Sequence, residues 1–238
     1  SVLGEDDASV LAQAGALGRL LQELPRLDPE TQGFVTLHGQ AIASLRRATE
    51  LSPAFTGALD DLGYALERKG KWQIQRGIDP STSLDQAVAA YRDALALDPD
   101  LANAHNNLGL AHYRLAAWAV LVGGDPSSAL AAALESLGRA VERNPNYAFA
   151  HANQGIVYRA MAEDAMSRNG DPGPDLERAR SAFARAAAIN PGISWSYPEL
   201  AAAELVAAAW ALRSGSDPGP ALDRAERAVA AALELNPR

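Results

Sequence analysis

The chain has 238 residues, with 21 Lys and Arg against 29 Asp and Glu, a formal charge of −8 near neutral pH, and no cysteine. That charge opposes sequence-blind attraction to nucleic acid or to anionic membrane surfaces, and the missing thiols exclude disulfide scaffolds, Cys-ligated zinc, iron–sulfur clusters and thiol nucleophiles. The most apolar stretch, Leu115 to Val122, falls short of the ~20 residues a membrane helix needs, and the start, Ser1 to Asp7, is acidic where a signal peptide is basic. The chain therefore reads as soluble, and its lack of cysteine fits the cytoplasm. Without an initiator Met it is expected to be a piece of something longer.

In chain order, residues 1–53 come first and fit the rest poorly. Val10 to Leu24 has helical spacing and is broken by Pro25 and Pro29, so this segment is expected to be a divergent capping unit that covers an apolar face. From there on the chain is periodic. Prolines stand at Pro53, Pro99, Pro145, Pro191 and Pro237, 46 residues apart, and a second ladder of the same period runs through Pro80, Pro126, Pro172 and Pro218. The period predicts units 54–99, 100–145, 146–191 and 192–238 in one continuous array.

Each rung has a helix-boundary meaning. Gly77, Gly123, Asn169 and Gly215 share a position, and Gly with Asn as sole substitute predicts a left-handed residue just past a helix end. Asp79, Asp125, Asp171 and Asp217 precede the second prolines, which predicts an Asp N-cap with proline at the first helical position. Between these marks Leu130, Leu134, Leu137 and Val141 recur at helical spacing, and a further helix is expected from about Ala148 to Arg168. No segment alternates with strand period, so each unit is a pair of antiparallel helices and the fold class is all-α.

The segment Ala102 to Tyr113, with Leu108-Gly109 and Tyr113, resembles the first helix of a tetratricopeptide repeat. The later half of that signature recurs as Ala41, Leu45, Ala48, Pro53; Ala87, Tyr91, Ala94, Pro99; Ala133, Leu137, Ala140, Pro145; Ala179, Phe183, Ala186, Pro191; and Ala225, Val229, Ala232, Pro237. The resemblance implies a right-handed α-solenoid of about five helix pairs. The Leu-Gly pair is intact at Leu62-Gly63, becomes Gln154-Gly155 and ends as Leu200-Ala201, so the last two units are expected to pack less regularly. Against the family period of ~34 residues, each unit carries about 12 more. Trp72, Trp118 and Trp210 share one position inside that addition, with Asp164 the exception, which predicts ordered extra turns around a recurrent pocket. Long helices with Gly-x-Asp-Pro turns also resemble the arrays attached to Ser/Thr kinases in large bacterial signalling proteins.

No catalytic constellation is present: there is no Gly-x-Ser-x-Gly elbow, phosphate loop or kinase signature. His105, His112 and His151 lack a ligand set and read as packing residues, and one Asp per turn reads as a cap rather than a calcium site. The chain is expected to be no enzyme and to hold no cofactor or metal. The family resemblance implies a concave face lined by the first helix of each pair. Transferred by position, that face holds Asp60, Tyr64, Glu67 and Lys71; Asn103, Asn106, Leu110 and Tyr113; Phe149, Ile156 and Arg159; and Trp195. Apolar bulk at Tyr64, Leu110, Tyr113, Phe149, Ile156 and Trp195 predicts a groove for a peptide or helix of a partner protein. The alternative is a structural module that self-associates through its solenoid ends. Nucleic acid and membrane are not expected partners.

Overall fold

The computed structural model describes residues 32–236 and Ala16. Val10 to Leu24, Ala16 apart, lies outside the described residues, as does most of the expected capping unit. Nine helices follow without a strand among the described residues: α1 Gln32–Leu51, α2 Thr56–Gln75, α3 Ser81–Leu97, α4 Ala102–Leu121, α5 Ser127–Arg143, α6 Ala148–Ser167, α7 Gly173–Ile189, α8 Ser196–Ser214 and α9 Gly219–Leu235. The fold is all-α, of the solenoid class. The chain divides into two compact units, 1–124 with α1 to α4 and 125–238 with α5 to α9. The division falls within the turn after α4, between the two helices of the expected unit 100–145.

Turn chemistry sets the helix boundaries. Gly77, Gly123, Asn169 and Gly215 all have positive φ, between 63° and 74°. Behind each of them the next N–H closes a wide return bond, from Ile78 to Gln73 O at 2.9 Å, from Gly124 to Ala119 O at 2.7 Å, from Gly170 to Ala165 O at 2.8 Å and from Ser216 to Ala211 O at 2.7 Å, so the last carbonyls of the helix are satisfied. The carboxylates of Asp79, Asp125, Asp171 and Asp217 then accept the N–H two residues on, at 2.9, 3.0, 2.9 and 2.9 Å. The expected cap is displaced by one residue: proline, not Asp, holds the N-cap position, and the helix starts after it. The physical service is the same, because an orphan N–H of the first turn gains an acceptor. Asp98, Asn144 and Asn190 repeat the device in the other set of turns, at 3.1, 3.1 and 3.0 Å.

The carboxyl of Asp125 is pulled down to about 2 from the ordinary 3.8 by the Ser127 N–H and hydroxyl, and then by Arg168. A folded value below the unfolded one means that the charged form stabilises the fold fully above about pH 4, and that this is lost as pH falls towards 2. An NMR titration of Asp125 is expected to give a midpoint near 2. Asp125→Ala should lower the melting midpoint at pH 7 and flatten its fall between those two pH values, with no response to chelator in either protein.

Helix lengths of 20 residues for α2, α4 and α6 and 17 for α3, α5, α7 and α9 absorb the additional residues as helix. Trp72 and Trp118 lie on α2 and α4 and Trp210 on the 19-residue α8, but each is only half-buried rather than enclosed. Arg76 covers the Trp72 ring at 4.5 Å and Arg213 the Trp210 ring at 6.0 Å. The tryptophans sit towards the helix ends, and Trp72 also lines a cavity with His38, Gly39 and Ile42 of α1.

The core of the first unit joins α1 to α4 through Ala41, Leu45, Leu62, Leu66, Tyr91 and Leu108. A Cβ added to Gly63 would come 2.6 Å from the Tyr91 ring, and one added to Gly155 would come 2.7 Å from the Phe183 ring. These glycines are notches into which the bulky residue of the following helix fits, and only an absent side chain allows that approach. The irregular packing expected at Gln154-Gly155 is therefore not found, since glycine, not the preceding residue, carries the contact. In the last pair Ala201 closes the notch, and Val229 at the bulky position is 46% exposed.

Candidate functional site

In the first unit, α2 and α4 lie side by side and their facing residues are cross-linked. Asn103 donates to Asp60 at 3.0 Å, and Arg114 is ion-paired with Glu67. Burial pushes the Asp60 carboxyl up against the opposing hydrogen bonds from Asn103 and Asn107. Burial also lowers Lys71, with Arg114 and Arg68 adding repulsion. Tyr64 packs against the core with its hydroxyl raised by burial, and Leu110 and Tyr113 are half-buried. Two of the eight expected groove residues here are corrected: Glu67 and Asn106 are buried. The helices approach closely enough that positions a single helix would turn to solvent are covered by the neighbour.

In the second unit, Phe149 at the start of α6 stacks on Trp195 at the start of α8, with ring centroids 6.1 Å apart and an interplanar angle of 20°. Tyr147 meets Phe149 edge-on at 6.2 Å. Phe149 and Trp195 are 44% and 39% exposed, so this stack is an apolar surface presented to solvent. Ile156 is buried, correcting its expected place on the open face. Arg159 donates to Glu199 at 2.9 Å and is also paired with Glu163. It is thus engaged in tying α6 to α8. Tyr147 was not legible as a site residue, because it lies in the turn ahead of α6 and outside the helical spacing that picks out the others.

His105 and His151 each place Nε2 3.0 Å from a proline carbonyl six residues earlier, Pro99 and Pro145. The Tyr197 hydroxyl does the same to Pro191 at 3.2 Å. A shared structural duty accounts for these rings. Among the described residues no three His, Cys, Asp or Glu side chains gather as a metal centre would need, and no helix is long and apolar enough to cross a membrane.

Pairs of packed helices, glycine notches and Asx–proline turns define a helical-repeat protein. Residues 83–115 match the family model described as TPR repeat. The match covers most of α3 and runs through the short turn into α4, the stretch that the additional residues do not interrupt. Similar solved structures include TTC0263, a thermophilic TPR protein of Thermus thermophilus, at 22% identity and a TM-score of 0.63 over 96% of this chain and 92% of that one. A crystal structure of MamA is similar at 20% identity and a TM-score of 0.54, over 89% of this chain and 96% of that one. At these identities the likeness is one of fold. No curated protein matches the chain.

Proposed function

We propose that the chain is a non-catalytic protein-interaction scaffold that binds a peptide or helix of a partner protein on its first-helix face. The observation that carries this reading is the exposed Phe149–Trp195 stack flanked by Tyr147. Rigid aromatic rings lose little conformational entropy on contact and dominate interface energetics. Taken by itself, the first unit carries a candidate surface of its own, with Tyr64, Leu110 and Tyr113 beside Asp60, Lys71 and Asn103. The long helices and Gly-x-Asp-Pro turns support placing the scaffold in a larger bacterial signalling protein, as a unit array that follows the 46-residue period, and the cysteine-free composition supports the cytoplasm. The test is to find the partner by cross-linking in the source cell and to measure its affinity for purified variants. Phe149→Ala and Trp195→Ala are each expected to weaken binding by about 2 kcal/mol or more with the melting midpoint retained. Full-strength binding by both variants would move the site off this face.

A second reading, self-association through a solenoid end, has its own support on α9. Leu222 is 42% exposed and Val229 46%, whereas Leu84 and Leu176, and Tyr91 and Phe183, are buried at the same repeat positions. Leu176 is covered by Ala162 and Ala203 from the helices on either side. A second copy covering α9 would make the apparent mass rise over a concentration series, and Leu222→Glu would abolish the rise.

A further inference from the structure

The second unit contains a groove of about 400 Å³ between α7, α8 and α9, and the first unit contains one of about 410 Å³ between α1, α2 and α3. They are the same feature three repeats apart. Leu59, Leu62, Leu66, Gln86 and Ala89 line the first, and the residues three periods on, Tyr197, Leu200, Glu204, Arg224 and Arg227, line the second. Neither groove is on the first-helix face, since each opens between two second helices with a first helix as its floor. The backbone frame is common, so the substitutions stand out as chemistry.

In the first groove Arg46 donates to Gln86 at 2.7 Å and so spans it. In the second, Glu204 replaces Leu66, with a side chain 2% exposed, and accepts from Arg180 at 2.7 and 3.0 Å and from the Arg224 Nε at 2.9 Å. The Arg180 Nη1 turns to Glu177 at 2.6 Å. Glu204 therefore pins two guanidiniums, and Arg224 reaches it through Nε alone, which leaves its terminal nitrogens uncommitted by that bond. Arg227, where the first groove has Ala89, is exposed and makes no ion pair among the described residues. Asp223 and Glu226 are on the same helix but outside the lining.

Beside these cations the groove is apolar, with Phe183 and Leu200 and small alanines such as Ala184, Ala187 and Ala228. The hydroxyls within it are occupied, Ser196 donating to Ile193 O at 2.8 Å and Tyr197 to Pro191 O. The lining residues run from 180 to 187 on α7 and from 224 to 231 on α9, a helix rise of ~10 Å, the span of ~3 extended residues. A carboxylate matches the planar fork of an arginine, and an apolar side chain matches the walls. The geometry points to a second recognition site: the α7–α8–α9 groove binds a short extended peptide of a partner protein in which an apolar side chain is flanked by Asp or Glu, the carboxylates meeting Arg224 and Arg227. Free phosphate would satisfy the arginines but leave the apolar walls uncovered.

The test is fluorescence anisotropy with the whole chain and a fluorescein-labelled peptide carrying Glu-Phe-Glu between Gly-Ser arms. Saturable binding is expected, at least tenfold weaker for Arg227→Glu, whose exposed position leaves the thermal midpoint in place, and at least tenfold weaker for a Gln-Phe-Gln peptide. Phe149→Ala and Trp195→Ala should change it less than twofold, which separates this site from the first-helix face. The proposal is overturned by absence of saturation, by equal binding to Arg227→Glu, by inorganic phosphate displacing the probe as well as unlabelled Glu-Phe-Glu does, or by equal affinity for phosphatidylserine vesicles.

Discussion

Replacing Arg180 and Arg224 together by alanine should destabilise the protein by about 3–5 kcal/mol, because it strands a buried carboxylate. Glu204 is 1% exposed, and its two oxygens take three hydrogen bonds, all from these guanidiniums. Without them a buried carboxylate is left with no partner in a poor solvent, and that costs free energy. The converse substitution is expected to be mild. Leu66 occupies the same place in the first unit, buried among Leu45, Leu62 and Tyr91, so Glu204→Leu has an apolar precedent in the same frame and should stay within about 1.5 kcal/mol of the parent. Urea unfolding at constant slope checks both. If Glu204→Leu instead loses as much as the double arginine variant, the network supplies net stability rather than position.

Tyr91→Ala is the other large effect, about 3–5 kcal/mol, since the ring is fully buried and its loss opens a cavity between α2 and α3 that the backbone cannot close. The ring lies in the Gly63 notch, and that fit makes the site intolerant of truncation. Its hydroxyl is another matter. It is buried with no hydrogen-bond partner among the described residues, and burial drives its ionisation well above the usual range. Phe183 fills the Gly155 notch with no hydroxyl. Tyr91→Phe should therefore raise stability by about 1 kcal/mol by removing an unsatisfied group. Calorimetry on the pair of variants separates cavity from polar cost, and a destabilised Tyr91→Phe would reveal a hydroxyl partner.

The candidate surface was legible in part. Phe149 and Trp195 follow from helical spacing along the first helices, and the structure brings them into contact as a stack. Glu67, Asn106 and Ile156 satisfy the same spacing yet are buried. Spacing identifies which side of a helix a residue is on, but how wide a strip of that side stays open depends on the distance to the next helix. Arg159 likewise reads as an available charge until Glu199, 40 residues on, is seen beside it.

What the sequence determined by itself is the set of helix boundaries. Gly77, Gly123, Asn169 and Gly215 adopt left-handed φ, and the four Asp-Pro pairs bond the N–H two residues on, because these are local constraints of the backbone settled within a few residues. Only the tertiary structure decided that Glu204 joins Arg180 and Arg224, 24 and 20 residues away, and that one of two equivalent grooves is built around a buried carboxylate. Burial and charge pairing belong to the space between helices, where the energy depends on side chains from three elements at once and the order of residues along any one of them is silent.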